Sequence, residues 1–328
     1  MTEGGRRAAV AALCLAVLAA VAGASLAVGA RAVPPAEVWR ALTDFAGSDD
    51  HLVVRDIRLP RTILGLCVGA ALGVSGALIQ AMTRNPLAEP GLLGVTAGAG
   101  FAVNVAAVLG VAASQVGTLL ASVAGAALAA LAVYAVGRTS PLRLVLAGVA
   151  LSAVLMGVSL GLRLMLPDVF DRYRFWSVGA LAGTERTPLL VPVLVIAAAV
   201  LAAVVVAGPL EALGLGEHVA HALGARVART RAAVLLLVTV LAGAATAVAG
   251  PILFVGLIVP HLARRLAGGS VRWLVAHTAV LGAALLVAAD VGARVLLPTG
   301  EVQVAIVTAF LGGPALIWAV RRHGARAL

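Results

Sequence analysis

Lysine is missing altogether: all 24 basic residues of the chain are arginine. A phosphate-binding loop of the form G-x-x-x-x-G-K-[ST] needs a lysine to reach the phosphates. The chain therefore carries no such motor, and nucleotide hydrolysis must come from another subunit. Charge of either sign is sparse. Only 12% of the 328 residues are charged, against about a quarter in a soluble domain. Cysteine is nearly absent. Cys14 and Cys67 both lie inside apolar runs, lack disulfide or metal-ligand spacing, and read as small buried hydrophobes. H-E-x-x-H is absent, and no pair of acids falls inside an apolar run, so a membrane enzyme is disfavoured.

What remains is 62% hydrophobic and rich in glycine. The apolar residues run in long blocks rather than alternating, which excludes a β-barrel. A bilayer core takes about 20 apolar residues per helical span, and its backbone groups must pair internally. The expected fold is all-α: a polytopic transmembrane bundle forming a single domain, 1–328. We read ten spans, near 8–30, 58–82, 92–112, 115–137, 142–166, 188–208, 230–250, 252–267, 273–296 and 303–320. The eighth is short and holds Pro251 and Pro260, so it reads as a broken or half-spanning helix. The first is too long for a signal-peptide core. Arginine placement puts both termini on the cytoplasmic side: Arg6, Arg7, Arg84, Arg138, Arg143, Arg226, Arg229, Arg231, Arg264, Arg265, Arg272, Arg321, Arg322 and Arg326 mark inner segments. The net charge of +10 then reflects this loop bias rather than a nucleic-acid partner. The outer loop 31–57 is acidic, with Glu37, Asp44, Asp49, Asp50 and Asp56.

An internal repeat is visible. Residues 69–76 and 243–250 share the pattern G-A-A-x-x-V-x-G, and at the same offset Pro86 falls on Pro260. The two copies lie in spans that run oppositely, the mark of an inverted-topology repeat.

Four motifs follow in order: Arg58-Leu59-Pro60-Arg61; Ser75-Gly76 with Gln80; Arg84-Asn85-Pro86-Leu87-Ala88-Glu89-Pro90 with Leu93-Gly94; and Phe254 to His261 as F-x-G-L-I-V-P-H. Ala289-Asp290 to Arg294 and Thr308 to Pro314 complete the set. Together, from about residue 55 onward, they resemble the FecCD-type permeases of bacterial ABC importers for iron-siderophores and vitamin B12. The resemblance implies a ten-helix subunit of the inner membrane, paired with a second permease as a homodimer or heterodimer. It implies two further partners, an ATP-binding cassette ATPase and an extracytoplasmic substrate-binding protein. It implies no cofactor and no bound metal.

Arg58 and Arg61 are one helical turn apart and share a face. Placed at a helix N-terminus they would be unfavourable by about 0.3–1 kcal/mol each, so an acid is expected beside them. The resemblance makes them, with Arg294, docking residues for acidic side chains of the binding protein. Snorkelling to lipid headgroups is the bland alternative. Asp290 precedes Arg294 by four residues and is expected to form a structural ion pair with it. Leu215, Val219, Ala222 and Leu223 fit one face of a short helix in the 208–224 loop. The resemblance makes it the ATPase-coupling helix, with contacts at Gly216, Glu217, Ala220 and Gly224. An interfacial amphipathic helix is the alternative. Asn85 and Pro86 form a turn after the second span and join the ATPase-facing surface. Span five, with Ser152, Gly157, Ser159 and Gly161, resembles the pore-lining helix. His261, beside Pro260, is expected to cap freed backbone carbonyls, and Arg163 to snorkel. His218 and His221 are only two potential ligands and receive no role. An ion-coupled secondary transporter would need ionisable groups near the midplane, and Asp290 alone lies within a span. Ferric siderophore is the expected cargo, vitamin B12 or haem the alternatives.

Overall fold

The computed structural model describes residues 3–137, 141–167, 174, 176–183, 188–214, 216–222, 224–297 and 300–323. Every regular element among them is helical. In chain order they are α1 (Glu3–Ala27), α2 (Pro35–Thr43), α3 (Asp49–Leu52), α4 (Leu59–Thr83), α5 (Val95–Val108), α6 (Gln115–Gly137), α7 (Pro141–Met165), α8 (Leu190–Gly214), α9 (Glu217–Ala222), α10 (Val227–Ala249), α11 (Val255–Ala267), α12 (Val271–Val295) and α13 (Val304–His323). Seven helices are long and apolar enough to cross a membrane. The apolar stretches Val95–Val108 and Val304–Ile317 are shorter.

Helix α4 is the hub, packed against α8, α10, α11 and α12. Lipid tails are as apolar as leucine, so helices associate here through close packing rather than through escape from water. Small residues permit that. A methyl at Gly69 would overlap the Gly282 carbonyl of α12, and one at Gly76 would overlap the Gly256 carbonyl of α11. Leu64, Leu78 and Ile79 of α4 interlock with Leu210, Leu241 and Leu286 in the resulting core. By contrast α1 and α7 stand at the rim with most of their surface open.

Two expected features come out differently. Arg58 is not at a helix start. A π-helical turn, Val53–Arg58, joins α3 to α4, and the Leu59 N–H donates to Val54 O five residues back. Asp49–Thr83 is thus one continuous helix of 35 residues. Pro60 sits just past the π turn, where the hydrogen-bond ladder is already shifted, so it marks a change of register and not a terminus.

Pro260 does not break the eighth span either. It lies inside α11, which runs unbroken for 13 residues and, at about 1.5 Å per residue, has the length of the half-spanning alternative. A proline removes the N–H that would bond the carbonyl four residues earlier, here that of Gly256. Gln80 Nε2 donates to that carbonyl at 3.2 Å. Gln80 Oε1 in turn accepts from Arg264 at 2.8 Å. A donor for that freed carbonyl thus comes from α4. His261 lines a small cavity with Pro86, Leu257 and Leu316.

The acidic segment 31–57 folds on itself. Ser48 caps α3 by accepting from the His51 N–H. Buried His51 contacts Glu37 at 3.4 Å, Glu37 accepts from Arg40, and Asp50 pairs with Arg31 at 3.0 Å. Two of the loop's five acids, Glu37 and Asp50, are thus matched locally.

Candidate functional site

At one end of the bundle, three elements converge around one carboxylate. Asp290 of α12 accepts from Arg61 of α4 through Nε at 3.0 Å and Nη2 at 2.8 Å. It also accepts from Arg294, one turn along α12, through Nε at 3.0 Å. The side chains of Arg61, Arg294 and Asp290 are 6%, 3% and 2% exposed. Arg294 also donates to Ser25 O and Ser25 Oγ, both at 2.8 Å. Ser25 Oγ meets the Thr62 hydroxyl at 2.8 Å. Arg58 donates to Leu26 O at 2.8 Å and to Arg31 O. The guanidiniums of Arg58 and Arg294 thereby satisfy carbonyls left over at the C-terminus of α1, where the helix dipole favours positive charge.

The fourth partner is Glu301, from the connector between α12 and α13. It accepts from Arg61 Nη1 at 2.7 Å, and its side chain is 36% exposed. Three guanidiniums thus face two carboxylates. The acids anticipated beside Arg58 and Arg61 are supplied within the chain. All three arginines are buried in the isolated chain: Arg58 and Arg294 are turned to α1, and Arg61 lies beneath the half-open Glu301.

A second junction lies at the opposite end. Arg84, in the left-handed region at φ 53°, closes α4 and donates to Leu213 O at the end of α8. Asn85 forms the expected turn, its Oδ1 accepting from the Leu87 N–H at 2.9 Å. Glu89 then reaches across to accept from the Phe254 N–H at 2.6 Å. Phe254, at φ 70°, is the residue from which α11 starts, so a carboxyl holds this helix N-terminus. Glu211 does the same for α12, accepting from the Val271 N–H at 3.0 Å. Gln80, Arg84 and Arg264 line a cleft of about 270 Å³ between these helix ends.

Enclosure of the Glu89 carboxyl pushes its pKa up to about 7, against the opposing effect of the Phe254 N–H. A carboxyl shifted upward stabilises the fold fully below its ordinary value near 4.5 and loses that contribution as pH rises through about 7. The unfolding midpoint of the detergent-solubilised protein is therefore expected to fall between pH 5 and pH 8. Glu89→Gln, which keeps an oxygen for Phe254 but no charge, should flatten that slope. An unchanged slope would show that Glu89 does not titrate there.

Helix α9 spans Glu217–Ala222, ended sharply by Gly216 at φ 112° and Gly224 at φ 77°. Ala220 is fully buried and anchors the helix to the bundle, so it is not a surface contact as expected. Val219 and Ala222 of the expected apolar stripe are exposed. Leu215, Leu223, Arg138 and Arg326 lie outside the described residues.

On α7, Ser152 and Ser159 are seven residues apart and share one face, while Gly157 and Gly161 share the opposite one. Ser159 is buried, and a side chain at Gly157 or Gly161 would meet open space. The four residues cannot line one path; the open face carries the two glycines. Gly157-Val158-Ser159-Leu160-Gly161 spells G-x-S-x-G, but a nucleophile elbow needs a sharp strand-to-helix turn, and this segment is mid-helix. Among the described residues no three His, Cys, Asp or Glu side chains gather as metal ligands.

Glu301 and Ser25 escaped sequence reading because neither stands at helical spacing from the arginines they serve. Gln80 and Glu89 stood inside quoted motifs, but only the folded chain shows what they bond.

Seven membrane-length helices in one bundle, with polar junctions at its two ends, mark a polytopic membrane protein. The chain belongs to the FecCD transport family, whose model matches residues 15–322. It is 47% identical over 306 residues to the ferric enterobactin transport system permease protein FepD of Escherichia coli (strain K12), covering 91% of this chain and 90% of that one. It is 38% identical over 336 residues to the cobalamin import system permease protein BtuC of Halobacterium salinarum (strain ATCC 700922 / JCM 11081 / NRC-1), covering 97% and 90%. An inward-facing structure of the metal-chelate type of ABC transporter superposes with a TM-score of 0.82 at 28% identity, covering 95% of this chain and 99% of that one.

Proposed function

We propose that the chain is the permease subunit of an ABC importer that carries a ferric siderophore across the inner membrane, driven by a separate ATPase. The observation that carries this reading is the 47% identity to a ferric enterobactin permease across nine-tenths of both chains. The cobalamin permease is less similar at 38%, which ranks vitamin B12 second. Cargo crosses as a complete chelate, so the permease needs no iron ligands of its own. An ion-coupled mechanism is disfavoured because Asp290, the buried acid among the described residues, is committed to two arginines in an enclosed ion cluster.

In this reading ten helices form the membrane domain, α5, α11 and α13 completing the seven longer ones, with both termini cytoplasmic. The halves are inverted repeats. Gly69, Gly76, Gly243 and Gly250 each lie where an added methyl would clash with a neighbouring backbone, which gives the repeated motif a packing reason. A second permease copy pairs along the open faces of α7 and α13, where Gly157, Gly161 and Phe310 are uncovered. The ATPase seats on the inner junction around Gly216, Glu217, Gly224, Asn85 and Pro86. The extracytoplasmic binding protein docks at the outer cluster, with Arg61 as the contact and Arg58 and Arg294 holding its surroundings.

Cargo is tested by reconstituting the permease with its ATPase and binding protein in vesicles. Labelled ferric enterobactin is expected to accumulate with ATP at a rate at least about tenfold above labelled cobalamin, a discrimination of about 1.4 kcal/mol. Faster cobalamin uptake would overturn the siderophore assignment.

A further inference from the structure

Arg61 has two unlike carboxylate partners. Asp290 is enclosed, shared with Arg294, and fixed on α12. Glu301 stands on a connector that follows Gly300 at φ 87°, is tied back by the Val302 N–H to Ala293 O at 3.0 Å, and is 36% exposed. Of the two partners, Glu301 is the one open to solvent. If its side chain rotates away, Arg61 keeps Asp290 and presents Nη1 outward. With three guanidiniums against two carboxylates, the cluster still holds an excess positive charge, and Arg58 has no carboxylate bonded to it. A carboxylate arriving from outside finds its complement there.

We infer that Glu301 is an intramolecular placeholder: it occupies the position on Arg61 that a carboxylate of the binding protein takes on docking, so the free permease keeps its docking site closed. This rests on the docking reading of the outer cluster given above. Docking then exchanges one carboxylate for another on the same guanidinium. The exchange leaves the number of ion pairs on Arg61 unchanged, and the competitor lowers the net affinity. It also explains how an arginine can serve an intermolecular contact while being almost wholly enclosed in the isolated chain.

The test measures docking of the extracytoplasmic binding protein of the same system to the permease in lipid nanodiscs at low salt. Glu301→Gln and Glu301→Ala remove the competing charge and are expected to bind about two- to fivefold more tightly than wild type, the scale of one partly exposed ion pair. Arg61→Gln is expected to weaken docking. A second measurement needs no partner: labelling of Arg61 by phenylglyoxal, read by mass spectrometry, should rise several-fold in Glu301→Ala while Arg294 stays protected. Glu301 variants that dock no better than wild type, while Arg61→Gln still weakens docking, would overturn the placeholder and leave the docking site standing. Docking indifferent to Arg61→Gln as well would overturn the docking reading itself.

Discussion

Asp290→Asn is expected to lower the stability of the permease by about 3–5 kcal/mol, the cost of stripping the counter-charge from buried ions. Its carboxylate accepts from both Arg61 and Arg294 with almost no solvent access. An asparagine keeps the shape but has one acceptor oxygen, and its amide hydrogens would point at guanidinium donors. Arg61 would retain Glu301, and Arg294 would retain Ser25. Neither of those compensates two cations packed side by side. The effect should reach beyond the cluster, because these bonds fasten α1 and α4 to α12. The unfolding midpoint in detergent and the yield of folded protein should both drop sharply. The triple variant Arg61→Leu, Asp290→Leu, Arg294→Met should recover much of the loss, since apolar residues of similar volume often replace a buried ion triad without penalty. A single variant within about 0.5 kcal/mol of wild type, the range of an ordinary surface change, would mean that the three charges do not share the enclosed site described.

Gly76→Leu is expected to be nearly as severe. A β-carbon at position 76 would overlap the backbone carbonyl of Gly256, and a backbone cannot rotate aside as a side chain does. Helices α4 and α11 must separate. Overpacking of this kind costs about 1–3 kcal/mol and sometimes more. Separation also breaks the Gln80 bond to Gly256 O, exposing the carbonyl that Pro260 leaves unpaired, for about 1 kcal/mol in addition. Gln80→Ala isolates that second contribution and should be milder. Gly157→Ala, where nothing lies within 4 Å of the added carbon, serves as the control and should unfold like wild type. Uptake should vanish in Gly76→Leu, because the junction at Gln80, Glu89 and Arg264 would no longer move α11 with α4. Equal behaviour of the Gly76 and Gly157 variants would refute the close approach.

Seven membrane-length helices were legible because each needs an unbroken apolar run, and composition alone displays that. What failed was the reading of prolines. Arg58-Leu59-Pro60-Arg61 looks like a helix start, and Pro260 like a break, when each is considered with its sequence neighbours. In the fold a π turn absorbs the first and a glutamine from a helix 176 residues away repairs the second. No local pattern carries either answer. The Asp290–Arg294 pair was readable from its spacing, since four residues make one helical turn. The partnership of Asp290 with Arg61 spans 229 residues and is set by the packing of α4 on α12. Small residues on α7 were visible, but their split between two faces appears only when each is placed around the helix. Ala220 lay off the apolar stripe read from the sequence, yet it is the residue of this short helix that is buried against the bundle.

The central claim is a transport path with no motor of its own. Its most direct test is uptake of labelled ferric siderophore into vesicles holding the permease alone, the permease with its ATPase and binding protein, and the full set without ATP, each with and without an imposed proton gradient. Accumulation is expected only in the complete set with ATP, and the proton gradient should add nothing. Accumulation by the permease alone, driven by protons, would contradict the account.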